Sequence, residues 1–405
     1  MRYKMRNMEQ KTKIKGKIHY VGVNDRTKHL FEGLWPLPYG VSYNSYLIDD
    51  EKVALVDTVD ICYFEVFLHK IRSVIGDRPI DYLIINHMEP DHSGSLSLIK
   101  QHYPNIIIVG NKQTFGMVEG FYGITGEQYL IVNGDSLDLG YHKLSFYLTP
   151  MVHWPETMMT FDETEGILFS GDGFGAFGTL DGGFMDTHLN TDIFWQEMIR
   201  YYSNIVGKYG SAVQKALEKL APLSITTICS THGPVWIEQK DKVIDLYDRM
   251  SRYEGQEGVV IVYGTMYGNT EQMAEAIALE LSVQGIKNIV LHNVNKRHPS
   301  YIIADIFKYK GLIIGSATYC NELYPEIDSL LSKILTRDMK NRYLGYFGSF
   351  CWSSAALRHM HTFAEKSKFE LVGIPVDMKI SMSDQTYDEC EALGLAMAER
   401  LKQDR

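Results

Sequence analysis

Residues Ile85–Ser95 read INHMEPDHSGS, and the fold of the first half of the chain turns on that stretch. His87, Glu89 and Asp91 stand on alternate residues, and His92 follows at once. Two imidazoles and two carboxylates in so short a span are the residue types that bind transition metals. The preceding run, DYLIIN (Asp81–Asn86), reads as a buried strand. The following SLSLIKQHY opens a helix, with Ser93 or Ser95 as its cap. The tetrad therefore sits in a loop at the C-terminal end of a strand. Alternate spacing aims His87 and Glu89 at one point, and Asp91 and His92 at another. Any one of these residues alone reads as a solvated loop residue; the four together do not.

Matching partners lie further along, each at the end of an expected strand. His153 follows KLSFYLTP (Lys143–Pro150), Asp172 ends GILFSGD (Gly166–Asp172), and His232 ends SITTICSTH (Ser224–His232). Further strands are expected at VALVDT (Val53–Thr58) and NIIIVGN (Asn105–Asn111). Helices are expected at FEVFLHKIRSVIG and from Asp192 to about Ala221, the latter broken near Gly207 and Gly210.

The pattern changes after the helical KDKVIDLYDRMSRY and a polar joint at Glu254–Gly258. Strands VVIVYGT, NIVLHNV, GLIIGSA, YLGYFGS and ELVGIPVDMK then alternate with helices from Thr270, near Ser300, at YPEIDSLLSKIL, from Ser353 and from Tyr387. Five βα units of this size make a doubly wound parallel sheet. The first strand runs into TMYGNT, whose backbone N–H groups, with the hydroxyls of Thr265 and Thr270, can cradle a phosphate at a helix start. Neither G-x-x-x-x-G-K-[ST] nor G-x-G-x-x-G occurs, which excludes a triphosphate loop and weighs against a dinucleotide. In strand order 2-1-3-4-5, the loops after strands one, three and four meet at the switch point. Those loops carry the aromatic, hydroxyl and small residues.

Composition narrows the alternatives. The 405 residues suit two domains, and 45% apolar content supports sizeable cores. A net charge of −10, without a basic stripe, argues against nucleic acid. No apolar window is long enough to span a membrane, and residues 1–17 read as a basic, loosely ordered lead-in rather than a secretory signal. Five scattered cysteines without a C-x-x-C pair fit a reducing cytoplasm and exclude a fused rubredoxin-type module. Each reads as a small buried hydrophobe.

H-x-[H/E]-x-D-H followed by His, Asp and His at strand ends resembles the metallo-β-lactamase fold. Most of that superfamily has His at the second position and binds zinc; here Glu89 stands there. HMEPDHSGS, with HWPETM around His153 and SGDGFG around Asp172, resembles the flavodiiron proteins, which reduce dioxygen or nitric oxide. T-x-Y-G-N-T resembles the phosphate loop of flavodoxins, which bind FMN. The resemblance covers the chain from about Val23 onward. It implies a lactamase-like αββα sandwich over residues 1–255 and a flavodoxin-like doubly wound sheet over residues 256–405.

It further implies two irons per chain. One takes His87, Glu89 and His153, the other takes Asp91 and His232, and Asp172 bridges them as part of the catalytic diiron centre. His92 matches a position that ligates metal in some members and not in others, and is included here. Three carboxylates suit a metal that must become trivalent, whereas zinc has no redox chemistry. FMN is expected on Thr265, Met266, Tyr267, Gly268, Asn269 and Thr270; on Ala317, Thr318, Tyr319 and Asn321; and on Ser349, Phe350, Cys351 and Trp352. Many members read GSYGWSGEA where this chain has GSFCWSSAA, so Cys351 and Ser354 replace glycines.

The expected activity is reduction of dioxygen to water, of nitric oxide to nitrous oxide, or both, in the cytoplasm. The expected donor is a separate rubredoxin, with a reduced deazaflavin coenzyme as its rival. The expected assembly is a head-to-tail homodimer or a dimer of dimers. Two alternatives stand beside this reading. One is a zinc hydrolase with an attached flavin module, which Glu89 opposes. The other is a non-catalytic electron carrier, which the complete ligand set opposes.

Overall fold

The computed structural model describes residues 12–404. They form two compact units. The first holds the chain up to Tyr202 together with Ser211–Asp248; the second holds Ser203–Gly210 and everything from Arg249 onward.

The first unit is built on two sheets. The seven-stranded sheet runs, edge to edge, through Lys13–Lys15, Ile18–Tyr20, Tyr46–Ile48, Ala54–Val56, Tyr82–Ile84, Ile107–Gly110 and Gln128–Leu130. Its last four strands are parallel. The five-stranded sheet runs through Ser136–Asp138, Lys143–Leu148, Met158–Asp162, Ile167–Gly171 and Thr227–Ser230, and only its last pair is parallel. The sheets meet face to face: the Tyr46 ring lies 5.4 Å from that of Phe169, and its hydroxyl donates to the Ser230 carbonyl at 2.5 Å. The helix Phe64–Ile75 buries Phe64, Phe67, Leu68, Ile71 and Ile75, a single stripe at helical spacing. Each such side chain contributes about 1.5–3 kcal/mol by burial. This is the lactamase-like sandwich expected from the sequence.

The second unit is a parallel sheet in the order Ile289–Asn293, Gln256–Gly264, Tyr309–Ala317, Tyr343–Phe350 and Glu370–Leu371, with Val376–Lys379 also pairing with Tyr343–Phe350. The 2-1-3-4-5 order is the expected flavodoxin-like one. Val259, Ile261, Ile313 and Phe347 from the strands pack with Met273, Ile277, Leu393 and Met397 from the helices.

Several local expectations change. The lead-in falls largely on residues 1–11, outside the described residues, but Lys13–Lys15 forms an edge strand against Ile18–Tyr20. ELVGIPVDMK is two strands, because Gly373 turns left-handed at φ +72° and Pro375 has no N–H to give a ladder. The last helix starts at Asp384 rather than Tyr387, with Ser383 as cap accepting from the Thr386 N–H. The strand Met158–Asp162 and the helix Lys112–Tyr122, capped by Asn111, were not foreseen. Ser95 sits at the N-cap of Leu96–His102 but makes no capping bond, and Ser93 donates instead to the Met88 carbonyl. Only Cys229 and Cys390 are buried; Cys62, Cys320 and Cys351 are exposed.

Buried Arg342 closes the second unit. It donates to the carbonyls of Ile306, Phe307 and Tyr253, each at 2.7 Å. Two of these are orphan carbonyls at the end of the helix Pro299–Lys308. Arg342→Met leaves buried carbonyls without donors, and should cost this unit roughly 3 kcal/mol. Amide hydrogen exchange in Tyr343–Phe350 reads the loss; unchanged protection there would contradict it.

Candidate metal centre and flavin cavity

Strand ends deliver the donor side chains of the first unit. Tyr82–Ile84 leads to Asn86, whose N–H and side-chain amide both bond the buried Asp57 carboxylate. That fixes the chain just before His87. Glu89 then caps a single turn, Pro90–Ser93, with Pro90 preset for its first position, and the turn presents Asp91 and His92. The strand Ile167–Gly171 ends in a left-handed glycine, φ +54°, which turns Asp172 inward.

All seven expected ligands are buried and come together. His87, Glu89, His153 and Asp172 form one group; Asp91, His92 and His232 form another, with donor atoms of each group within 4.8 Å of one another. Asp172 faces both. Its Oδ2 lies 3.0 Å from His153 Nε2 and 3.6 Å from His87 Nε2; its Oδ1 lies 2.8 Å from His92 Nε2 and 3.7 Å from His232 Nε2. Glu89 Oε2 stands 3.1 Å from His153 Nε2, and Asp91 Oδ2 stands 3.2 Å from His232 Nε2. His92 is thus within the second group.

The donor set fits two cations. Nε2 of His87, His92 and His232, and both oxygens of Asp91, are buried without a hydrogen-bond partner. Burial works against charge on His153, yet the hydrogen bonds of Asp172 and Glu89 outweigh it and raise the imidazole to about 9. Burial likewise opposes charge on His92, and Asp91 and Asp172 raise it to about 9. Buried carboxylates that pull this hard on imidazoles make a place for positive charge.

Other residues steer these donors, and most of them carry no local signal in the sequence. Glu156 accepts from His87 Nδ1 at 2.8 Å and from the Met88 N–H at 2.9 Å. It lies in the quoted HWPETM, so a carboxylate near His153 was the available signal. His232 Nδ1 donates to the Ser42 carbonyl at 2.7 Å, and the Thr231 hydroxyl donates to Asp172 Oδ1 at 2.5 Å. Glu32, at the tip of the hairpin Leu30–Phe31/Trp35–Pro36, accepts from Trp35 Nε1 at 2.8 Å. Although the residue is exposed overall, burial of its carboxyl end and the charge of Glu89 push it up to about 7. Trp154 stands edge-on to His87 at 5.2 Å, and the rings of Tyr43 and Tyr201 lie 6.0 and 5.6 Å from that of His232.

The second unit carries a cavity of about 360 Å³ at the strand ends. Of the expected flavin residues, Thr265, Met266, Tyr267, Asn269, Thr270, Ala317, Thr318, Asn321, Ser349, Phe350, Cys351 and Trp352 line it. Gly268 and Tyr319 do not; Cys320, Ser353 and Ile380 do. Gly268 serves the loop instead, at φ +95°, with its N–H on the Thr265 hydroxyl. Thr270 and Ser349 share a hydroxyl hydrogen bond at 2.9 Å, and Ser353 bonds Asn321 at 3.1 Å, so the three loops are tied together. Tyr267 and Trp352 are 95% and 91% exposed, which leaves two aromatic faces open for stacking. Ile380 enters from a fourth loop, where Asn269 donates to its carbonyl.

A lactamase-like sandwich with a donor set for two metals, on one chain with a flavodoxin-like sheet, defines a binuclear-metal flavoprotein. Residues 41–233 match the ODP family beta lactamase domain, and residues 261–394 match flavodoxin. The chain is 32% identical over 396 residues to the anaerobic nitric oxide reductase flavorubredoxin of Vibrio vulnificus (strain YJ016), covering 95% of this chain and 79% of that one. It superposes on rubredoxin oxygen:oxidoreductase from Desulfovibrio gigas with a TM-score of 0.92, at 29% identity, over 97% and 98% of the two chains. For the flavodiiron protein from Giardia intestinalis the TM-score is 0.90, at 25% identity, over 96% and 95%. The chain belongs to the flavodiiron protein family, and is an oxidoreductase whose cofactors are FMN and a non-haem diiron centre. The hydrolase alternative finds no support. Among the described residues no helix is long and apolar enough to cross a membrane.

Two substitutions test the donor set. Asp172→Ala and His153→Ala should each lower bound iron well below two per chain while leaving flavin in place, because a lost ligand leaves its metal under-coordinated. Iron and flavin assays on the same sample check this. Thr270→Ala should weaken flavin retention by roughly 1.5–3 kcal/mol, the worth of a hydrogen bond to a charged acceptor. Equilibrium dialysis measures it, and unchanged affinity would remove Thr270 from the phosphate loop.

Proposed function

We propose that the chain reduces dioxygen to water, nitric oxide to nitrous oxide, or both, with electrons passed from an external donor through FMN to the diiron centre. The observation that carries this reading is Asp172, whose two oxygens face two separate buried groups of histidine and carboxylate. In this reading His87, Glu89 and His153 would hold one iron, Asp91, His92 and His232 would hold the other, and Asp172 would offer one oxygen to each. The bound cofactors supply electron transfer at the flavin and gas-binding, redox-active positions at the iron pair.

The chain's own residues set the conditions. Glu89, Asp91 and Asp172 favour the more highly charged iron state. Thr231 fixes the plane of Asp172 through its hydroxyl. Trp154, Tyr43 and Tyr201 wall the site with aromatic surface and limit water. In the flavin cavity, Thr265 and Thr270 would hold the phosphate, and exposed Trp352 would offer a face to the ring. The diiron part is the lactamase-like unit and the FMN-binding part is the second unit, and the joint expected near residue 255 lies a few residues past Arg249. The cysteine pattern supports a cytoplasmic location. The names of the flavorubredoxin and rubredoxin:oxygen oxidoreductase relatives support a rubredoxin-type donor; a reduced deazaflavin coenzyme is the rival.

Anaerobic reduction by each donor, followed by timed consumption of each gas, tests the activity. A reduced, iron-loaded chain that consumes neither gas would sink it. The proposed assembly is a head-to-tail dimer, or a pair of such dimers, in which the flavin of one subunit serves the iron pair of the other. It is testable by complementation. One chain carries His87→Ala with His153→Ala, the other a disrupted Thr265–Thr270 loop, and each homodimer is dead. Random co-assembly makes about half the dimers mixed, each keeping one of two paths, so activity should recover to about a quarter of wild type. Mixed dimers holding both cofactors but consuming no gas would exclude an electron path between subunits.

A further inference from the structure

The two groups of donors are alike in kind. Each offers two imidazoles, one carboxylate of its own and one oxygen of Asp172. What stands behind the imidazoles differs. His87 Nδ1 meets the Glu156 carboxylate at 2.8 Å, and Glu156 is itself fully buried. Its oxygen is held in place by the Met88 N–H, and its backbone carbonyl accepts from Asn111 Nδ2 at 2.6 Å. In the other group, His232 Nδ1 meets only a neutral carbonyl, that of Ser42, and His92 Nδ1 is buried with no hydrogen-bond partner.

We infer that the two iron positions are unequal in affinity, and that Glu156 makes the His87–Glu89–His153 position the tighter one. A carboxylate hydrogen-bonded to the far nitrogen of a ligating imidazole fixes its tautomer and orientation and raises its basicity. A neutral carbonyl fixes the tautomer with less gain in basicity, and an unpartnered nitrogen does neither. With matched donor sets, this outer contact decides which metal is held harder. Glu156 is therefore a positioning residue acting through His87. The inference rests on the diiron reading above.

The test uses the iron-loaded, FMN-containing full chain. Ferrous iron is withdrawn anaerobically by equilibrium competition with graded amounts of a ferrous chelator. The wild-type chain should release its two irons in two separate steps. Glu156→Gln keeps the shape and an acceptor oxygen but removes the charge. It should weaken the tighter-held iron by roughly 10–100-fold and leave the weaker-held one unchanged, so that the steps draw together. A general folding defect would move both steps, and amide hydrogen exchange in Tyr82–Ile84 of the first unit on the same sample identifies it. Asp91→Asn, which weakens the other group, should leave the tighter step where it is; adding Glu156→Gln to that variant should then shift it. Two irons that leave together from the wild-type chain, or a Glu156→Gln effect confined to the weaker-held iron, or none at all, would overturn this inference alone. A chain that holds zinc, or no iron, would overturn the diiron reading and this inference with it.

Discussion

The site of the first unit turns on one interaction: a single buried carboxylate, Asp172, presents one oxygen to each of two groups of histidine and carboxylate. Burying an ionised carboxylate costs several kcal/mol unless opposite charge surrounds it. The sandwich meets that cost by bringing the ends of strands from both sheets to the same place. Tyr82–Ile84 belongs to one sheet, and Ile167–Gly171 and Thr227–Ser230 to the other. Register does the final aiming. The Thr231 N–H bonds the Gly171 carbonyl, the Thr231 hydroxyl bonds Asp172 itself, and left-handed Gly171 supplies the turn.

The flavin cavity uses the opposite strategy. Its frame is polar and tied by hydroxyl bonds between loops, while its large aromatic surfaces are left uncovered. A metal pair needs donors fixed before it arrives. A planar heteroaromatic ring needs a phosphate anchor and open faces to lie against; the Gly268 N–H on the Thr265 hydroxyl and the Thr270–Ser349 bond tie the ends of the first loop, while Tyr267 between them and Trp352 stay exposed.

The two donor groups were legible because histidines are few, 14 in 405 residues, and those at strand ends stood beside carboxylates; all seven side chains are brought together. The flavin loops were legible because regular βα alternation gives a doubly wound sheet, and the flavodoxin-like order that the TMYGNT resemblance implies gathers the loops after strands one, three and four. What escaped was whatever depends on approach from a distance. Glu32 reaches the site from a hairpin whose strands are two residues long, and nothing local in FEG marks it. Ile380 reaches the cavity from a loop after a strand that breaks in two. Glu156 was in view but bland, because a carboxylate earns an outer role only once the imidazole it faces is known. The cysteines misled: composition suggested five buried hydrophobes, and three are exposed, two of them lining the cavity.

Ser203–Gly210 decides where the gene can be divided. These residues precede Ser211–Asp248 in the chain but belong to the second unit. Asn204 bonds the Ser300 carbonyl, Arg337 bonds the Ser203 carbonyl, and the Tyr253 hydroxyl bonds that of Gly207. A side chain at Gly207 would run into Phe307, with a Cβ only 2.7 Å from its ring. No single cut in the coding sequence therefore separates the two halves. A recombination joint placed after residue 202 or after residue 248 strands part of one unit on the wrong side. A fusion that grafts a different domain ahead of residue 249 would therefore have to bring its own cover for Phe307 and its own acceptor for Arg337.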